Sequence, residues 1–371
     1  MLPMSTAQQH KLVVMIVYFG AHPPWLPITL HSMEANERVS FVVVNDQPPP
    51  ASLPPNVRFE TISFGGMHER LSAISGQRIS HSFTYKANDY KPLLPALYPH
   101  LVAGHEWWAW ADLDVVFGDL LKFVALAEPH PACCRNLEQQ CSKRDRHDPS
   151  SPCSDPARPR RGADTYFDRG ACACTAGENT SAISPLYPNP WRKKCWGPFT
   201  AFRTDGAPDA AQLFRRTRRW QEMLAMDAYA HFDEWWGPFA GKGVETMGEA
   251  MTRLSDAGEL RMSKEPLPFA EAKSCNDLEC TFCPCGAVRF SLHGATLRVN
   301  GREVMVLHLA ESKAAWAAWA ARPSSLAALA PYAAPPAGGR APRACFEVDH
   351  LGGLTPDPAL GHAGAVPEQH P

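Results

Sequence analysis

The stretch "WAWADLDVVFGD", Trp108–Asp119, opens as an apolar run of the kind that makes a buried strand. Two carboxylates then appear one residue apart, Asp112 and Asp114, with Leu113 between them. A buried carboxylate is costly unless it is paired or holds a cation. Asp-x-Asp at a strand end suits a hard divalent cation such as Mg²⁺ or Mn²⁺, which takes carboxylate, water and phosphate oxygens. By itself the motif is weak, because it recurs by chance as a surface turn or helix cap. Its place after a tryptophan-rich strand is what singles it out. Asp119 reads as the cap of a helix starting at "LLKF", and Trp107, Trp108 and Trp110 read as core.

The segments around it repeat one theme. "KLVVMIVYFG" is a short buried strand ending in glycine, and "HPPWLPITLHSMEANE" brings Leu26, Leu30 and Met33 to helical spacing. "VSFVVVNDQ" and "VRFETISF" read as the second and third strands, "SFTYKANDYKPLLPALYPHLV" as largely helical, and "EWWAWADLDVVF" as the next strand. Strand, helix, strand, strand, helix, strand predicts an α/β fold whose mostly parallel sheet carries helices on both faces. Ligands of such sheets sit beyond the carboxyl ends of the strands. Three strands here end in polar or turn chemistry: Tyr18-Phe19-Gly20, Asn45-Asp46 and Asp112-Leu113-Asp114.

Four regions follow: 10–130, the half that carries the parallel strands; 131–192, a cysteine-rich insertion; 193–322, a second half that ends in the His308 loop; and 323–371, a low-complexity tail. In the third, "AAQLFRRTRRWQEMLAM" reads as a helix with a solvated arginine face, "HFDEWWGPF" as an aromatic, acidic turn, and "EVMVLHLAESK" as a strand carrying His308 into a polar loop. There is no internal repeat.

Composition sets the outer limits. The chain has 371 residues, 45% hydrophobic and 20% charged, with a formal net charge of −2. That balance advertises neither nucleic acid nor an anionic membrane as a partner. No apolar run approaches the about 20 residues of a membrane span, and "LVVMIVYFG" lacks the basic leader and cleavage site of a signal peptide. None of the twelve cysteines precedes Cys133; seven lie between Cys133 and Cys195, four between Cys275 and Cys285, and one is Cys345. Disulfides, free thiols and a zinc site at Cys280-x-x-Cys283 all fit that clustering. Clustered cysteines point to Golgi or secretory lumen, the missing leader to cytoplasm. Asn179-Thr180-Ser181 is a glycosylation sequon of the kind chance supplies.

"VYFGAHPPWLPITLHSM", "YKANDYKPLLPALYPHLV" and "WWAWADLDVVFGDLLKF" together resemble the nucleotide-sugar glycosyltransferases of the GT-A fold, and more closely a poorly characterised glycosyltransferase-like family with the same order of segments. The likeness spans residues 10 to 125 and resumes in "WGPFTAFR", "FDEWWGP" and "VLHLAESKAAW". It implies a GT-A-like (Rossmann-like) sheet and transfer of a sugar from a nucleotide diphosphate donor, UDP-linked, to a glycan, protein or lipid acceptor. Asp112 and Asp114 match the family's metal-binding pair for Mn²⁺ or Mg²⁺, and His308 matches a late histidine of the metal shell. Lys313 matches a lysine that touches the diphosphate. Tyr18, Phe19 and Gly20 match the loop against the nucleoside, and Asp46 a polar residue near base or ribose. Lys86 and Asp89 match positions near the donor sugar; as plain sequence, Lys86 and Lys91 read equally as solvated helix lysines. Asp233 and Glu234 match an acidic pair on the acceptor side, in the catalytic position, with Trp235 and Trp236 as sugar platforms.

Two other classes compete. A nucleotidyltransferase shares the sheet and the paired aspartates, but "YFGAHPPWLP" lacks the glycine- and lysine-rich phosphate loop it needs. A non-catalytic glycan-binding or scaffold protein would tolerate loss of metal ligands, and here all three candidates are present.

Overall fold

The computed structural model describes residues 11–127, 181–184, 196–205, 209–234, 243–263, 267–271, 288–299, 302–309, 344–348 and 354–356. Most of the cysteine-rich stretch, Trp235, Trp236, Lys313 and nearly all of the tail lie outside them.

The fold is α/β. Strands β1 (Leu12–Val17), β2 (Val39–Asn45), β3 (Val57–Thr61) and β4 (Trp107–Ala111) run parallel, in the spatial order β3-β2-β1-β4. Beyond β5 (Val115–Phe117) the chain adds β6 (Ala182–Ile183) and β7 (Phe199–Arg203) to this sheet. Strand β7 pairs antiparallel with β4, and β6 closes the edge, so the six-stranded sheet is mixed. Residues 182–183, inside the stretch read as an insertion, thus belong to the sheet.

Both faces are buried, which is why the strands read as continuous apolar runs and not as alternating ones. On β1, Val13, Met15 and Val17 face a cluster containing Met67, Leu71, Tyr90, Leu93 and Leu94. Leu12, Val14 and Ile16 face Leu26, Leu30 and Met33 of helix α1 (Leu26–Glu34), with Leu120 and Phe123 behind. The tryptophans of β4 divide likewise, Trp108 and Trp110 to the first cluster and Trp107 to the second, and all three are core. Asp119 caps the helix Leu120–Ala127, its Oδ1 accepting from Lys122 N at 3.0 Å.

Strand β8 (Phe269–Glu271) precedes a hairpin run, β9 (Val288–His293), β10 (Thr296–Val299) and β11 (Arg302–Glu303), and then β12 (Val306–His308). Strand β12 sits between β5, antiparallel, and β8, parallel, as a three-stranded sheet. Strands β13 (Ala344–Val348) and β14 (Leu354–Pro356) complete a separate antiparallel sheet, β11-β10-β9-β13-β14.

Four readings change. Helix α2 (Phe64–Ser75), capped by Ser63 through Gly66 N and ended by left-handed Gly76, was not expected from "FGGMHERLSAIS". Its two glycines and few apolar residues hide the period. The run "SFTYKANDYKPLLPALYPHLV" is a 3₁₀ stretch, Thr84–Leu93, followed by two single helical turns, because Pro92, Pro95 and Pro99 remove backbone donors. "AAQLFRRTRRWQEMLAM" breaks into Ala210–Arg216 and Trp220–Ala225, with Arg219 at φ 56°. Finally, "WWAWADLDVVF" is two strands in two sheets, and the break falls on Asp112-Leu113-Asp114.

Candidate metal and acceptor site

That break builds the site. At Ala111 the chain leaves the six-stranded sheet, where Ala111 still pairs with Ile16 and Phe199, and at Val115 it enters the small sheet opposite His308. Helix α1 grips the turn between: Trp25 Nε1 and Thr29 Oγ1 both donate to the Leu113 carbonyl, at 3.2 and 3.1 Å. Leu309 N donates to Asp114 O at 2.8 Å, and Asp112 N to Pro198 O at 3.2 Å. Leu113 is buried on one side of the turn, and the carboxylates of Asp112 and Asp114 converge on the other.

His308 meets them there. Its Nε2 lies 3.6 Å from Asp114 Oδ2 and 4.0 Å from Asp112 Oδ2. One ligand atom from each of Asp112, Asp114 and His308 falls within 4.8 Å of the others. Ligands about 2.1 Å from an octahedral cation stand roughly 3.0 Å apart when adjacent and 4.2 Å when opposite, so the two separations from His308 fit the span of such a shell. The two carboxylate oxygens suit Mn²⁺ or Mg²⁺, and the imidazole nitrogen favours the softer Mn²⁺ of the two. The Trp196 ring stands edge-on to the His308 imidazole, with centroids 6.0 Å apart.

The other oxygen of Asp112 is taken by Lys91. Lys91 Nζ contacts Asp112 Oδ1, Asp233 Oδ2 at 2.6 Å and the Gly197 carbonyl at 3.1 Å, and the side chain is 1% exposed. Burial pulls the lysine pKa down, but Asp112 and then Asp233 outweigh it and hold it above the ordinary lysine range. Burial raises the Asp112 carboxyl, opposed by Lys91 and reinforced by Asp114. Asp233 is fully buried, and burial pushes its carboxyl up to about 7 against the pull of Lys91. Lys91 is therefore no solvated lysine; it ties the Asp-x-Asp turn to the acidic turn at Asp233, which lies 142 residues after Lys91 itself. Its apolar flanks, Tyr90 and Pro92-Leu93-Leu94, were the available signal.

The acidic pair divides. Asp233 Oδ1 accepts from Tyr229 OH at 3.2 Å and Oδ2 from Lys91, so this acid is spent inside the protein. Glu234 is 28% exposed, with Oε2 3.1 Å from His231 Nδ1. Its charge and hydrogen bond raise the His231 pKa against a larger opposing contribution from burial and with help from Asp233. His231 holds φ 55°, a left-handed value that costs a non-glycine residue of order 1 kcal/mol. Gly197 leaves room for both acids: a Cβ there would meet Glu234 Cγ and Oε1 at 2.7 Å and Asp233 Oδ2 at 2.8 Å. His231, Tyr229 and Gly197 were not singled out by sequence.

Lys86 and Asp89 take a different place from the one the resemblance implied. Both are fully buried. Lys86 Nζ bonds Asp89 Oδ2 at 2.9 Å and the carbonyls of Met223 and Ala228 at 2.9 and 2.8 Å. Asp89 accepts from Ala230 N and Phe232 N at 2.8 and 2.7 Å. Neither reaches solvent in this structure; together they staple the loop that delivers Asp233 and Glu234. The Tyr18-Phe19-Gly20 loop lies at the same carboxyl end of the parallel strands as Asp112, as the register requires. Gly20, at φ 115°, donates its N–H to Asp46 Oδ1 at 2.8 Å, and Phe19 packs on Phe64 at 5.0 Å. Asp46 thus shapes the loop, and Tyr18 is half-buried.

A family model described as "Family of unknown function (DUF6625)" matches residues 14–128. No curated protein matches the chain. Among solved structures, the chain is similar to mouse xyloside xylosyltransferase 1 in its apo form, at 12% identity and a TM-score of 0.34, over 80% of this chain and 96% of that one. It is also similar to the galactosyltransferase LgtC in complex with donor and acceptor sugar analogs, at 14% identity and a TM-score of 0.20, over 30% of this chain. The chain spans 41% of the length of LgtC. These scores carry no residue role from either protein to this one.

Proposed function

We propose that this chain is a metal-dependent glycosyltransferase of GT-A type that moves a sugar from a nucleotide diphosphate, UDP-linked, to an acceptor hydroxyl. One observation carries the reading: Asp112, Asp114 and His308, from sequence positions nearly 200 residues apart, converge at the carboxyl end of a parallel strand. The sequence resemblance supplies the donor class. When bound, Mn²⁺ or Mg²⁺ neutralises charge on the departing diphosphate.

The chain's own groups do the rest. Asp112, Asp114 and His308 would hold the cation, and Lys91 fixes Asp112 by its second oxygen, so the carboxylate does not rotate away. The Tyr18–Gly20 loop, shaped by Asp46, is the nucleoside loop in this reading, and the resemblance assigns Lys313 to the diphosphate. Of the acidic pair, Glu234 is the member that reaches solvent, and it takes the acceptor hydroxyl proton with His231 at its side. Asp233 positions it through Lys91 and Tyr229.

The test is calorimetry with UDP and Mn²⁺. Asp112→Asn and Asp114→Asn each delete a ligand charge and are expected to lower Mn²⁺-dependent UDP affinity more than tenfold, with circular dichroism unchanged. His308→Ala should weaken Mn²⁺ binding, and wild-type affinity should fall as pH drops through the imidazole range. Metal-independent UDP binding, equal in all four proteins, refutes the site. Transfer of a nucleotidyl group with release of pyrophosphate, in a panel of nucleotide sugars and sugar phosphates, would reassign the reaction.

A further inference from the structure

Two large apolar side chains stand out among the described residues because they are exposed: Phe83 at 43% and Tyr85 at 48%. They are neighbours, with ring centroids 5.8 Å apart. Tyr85 meets Tyr229 edge-on at 4.9 Å, and Tyr229 lies 4.0 Å from the His231 ring. Four rings therefore form a continuous wall, no step longer than 5.8 Å, from open solvent to the residue that hydrogen-bonds Glu234. The wall is held in place. Ser82 N and Oγ donate to the two oxygens of Asp227 at 3.2 and 3.1 Å, and the buried Lys86–Asp89 pair ties the same two segments together from beneath. The segment that carries the first two rings is thus anchored on either side of them.

We infer that this wall is an acceptor subsite for an oligosaccharide: the terminal sugar reaches Glu234 and His231, and the inner sugars lie on Tyr85 and Phe83. The inference rests on the transferase reading for what happens at Glu234, but not for the wall. A pyranose ring has an apolar face that covers an aromatic ring and hydroxyls at its rim that bond carboxylates and phenols. Both kinds of partner are present here, with Asp227 and Glu234 flanking the rings. Two exposed rings fall short of the roughly 800 Å² per partner of a stable protein interface. The flanking acids oppose an anionic membrane surface. Continuity with the acidic turn is what a chain-like ligand ending at Glu234 requires.

The experiment uses the full chain with Mn²⁺ and UDP on an array of immobilised oligosaccharides and their terminal monosaccharides, alongside the variants Phe83→Ala/Tyr85→Ala and Phe83→Tyr/Tyr85→Phe. The wild type should retain at least one oligosaccharide at least tenfold more strongly than its terminal monosaccharide. The alanine pair should lose that advantage, and the aromatic exchange should keep it. Melting temperature and UDP–Mn²⁺ affinity should be the same in all three. A blank array, or equal retention by wild type and the alanine pair, overturns the inference while leaving the transferase reading to the UDP–Mn²⁺ titration. Loss of metal-dependent UDP binding with wall-dependent glycan retention would do the reverse. A concentration-dependent sedimentation shift abolished by the alanine pair would assign the wall to a second copy of the chain and overturn the glycan.

Discussion

Lys91→Met keeps the length of the side chain and deletes the charge at the centre of the site. Removing one partner of a buried ion pair costs about 3–5 kcal/mol, because the other is left uncompensated. Lys91 is 1% exposed and serves two carboxylates, so a loss in that range is expected. Asp233 makes the loss depend on pH. Its carboxyl is raised by burial to about 7, while Lys91 opposes the rise. A carboxyl raised on folding contributes stability that is fully present below the unfolded value, about 3.9, and is lost as pH climbs through the folded one. In the wild type that decline stops once Asp233 ionises near 7. In Lys91→Met the opposing attraction is gone, Asp233 keeps its proton to higher pH, and stability goes on falling by about 1.4 kcal/mol per pH unit. The deficit should therefore be about 1.4 kcal/mol larger at pH 8 than at pH 6. Urea unfolding of both proteins at the two pH values, without added metal, measures it. Equal deficits at both pH values, or none at either, would show that Lys91 and Asp233 do not share a buried charge.

Other parts of the site make separate forecasts. Gly197→Ala sets a Cβ against Glu234 and Asp233 at 2.7 and 2.8 Å, so unfolding free energy should drop by about 1–3 kcal/mol, while UDP–Mn²⁺ affinity stays within twofold; a wild-type melting curve would show that the acids move freely. Asp89→Leu leaves the Lys86 ammonium buried and two backbone N–H groups without their acceptor, and should cost about 3–5 kcal/mol; unchanged protease resistance of the 223–232 segment would refute the staple.

Much of this was legible in the chain. The apolar runs of β1, β2 and β4 need no partner to be recognised as buried strands, and polar residues at their ends follow from where an α/β sheet meets solvent. Asp112 and Asp114 are readable as a pair because the chain itself holds them two residues apart. What sequence spacing does not carry is the source of a third ligand, the direction of a turn, or the solvation of a charge. His308 reaches the aspartates because β12 pairs with β5. The turn faces inward because Trp25 and Thr29, more than 80 residues earlier, hold the Leu113 carbonyl. Lys86, Asp89 and Asp233 look like surface charges in a local window, and only its apolar flanks set Lys91 apart; packing removes water from all four and leaves each other as partners. Local sequence determines backbone preference and apolar pattern, whereas burial of a charge depends on what distant segments bring to it, and that is decided by the tertiary structure.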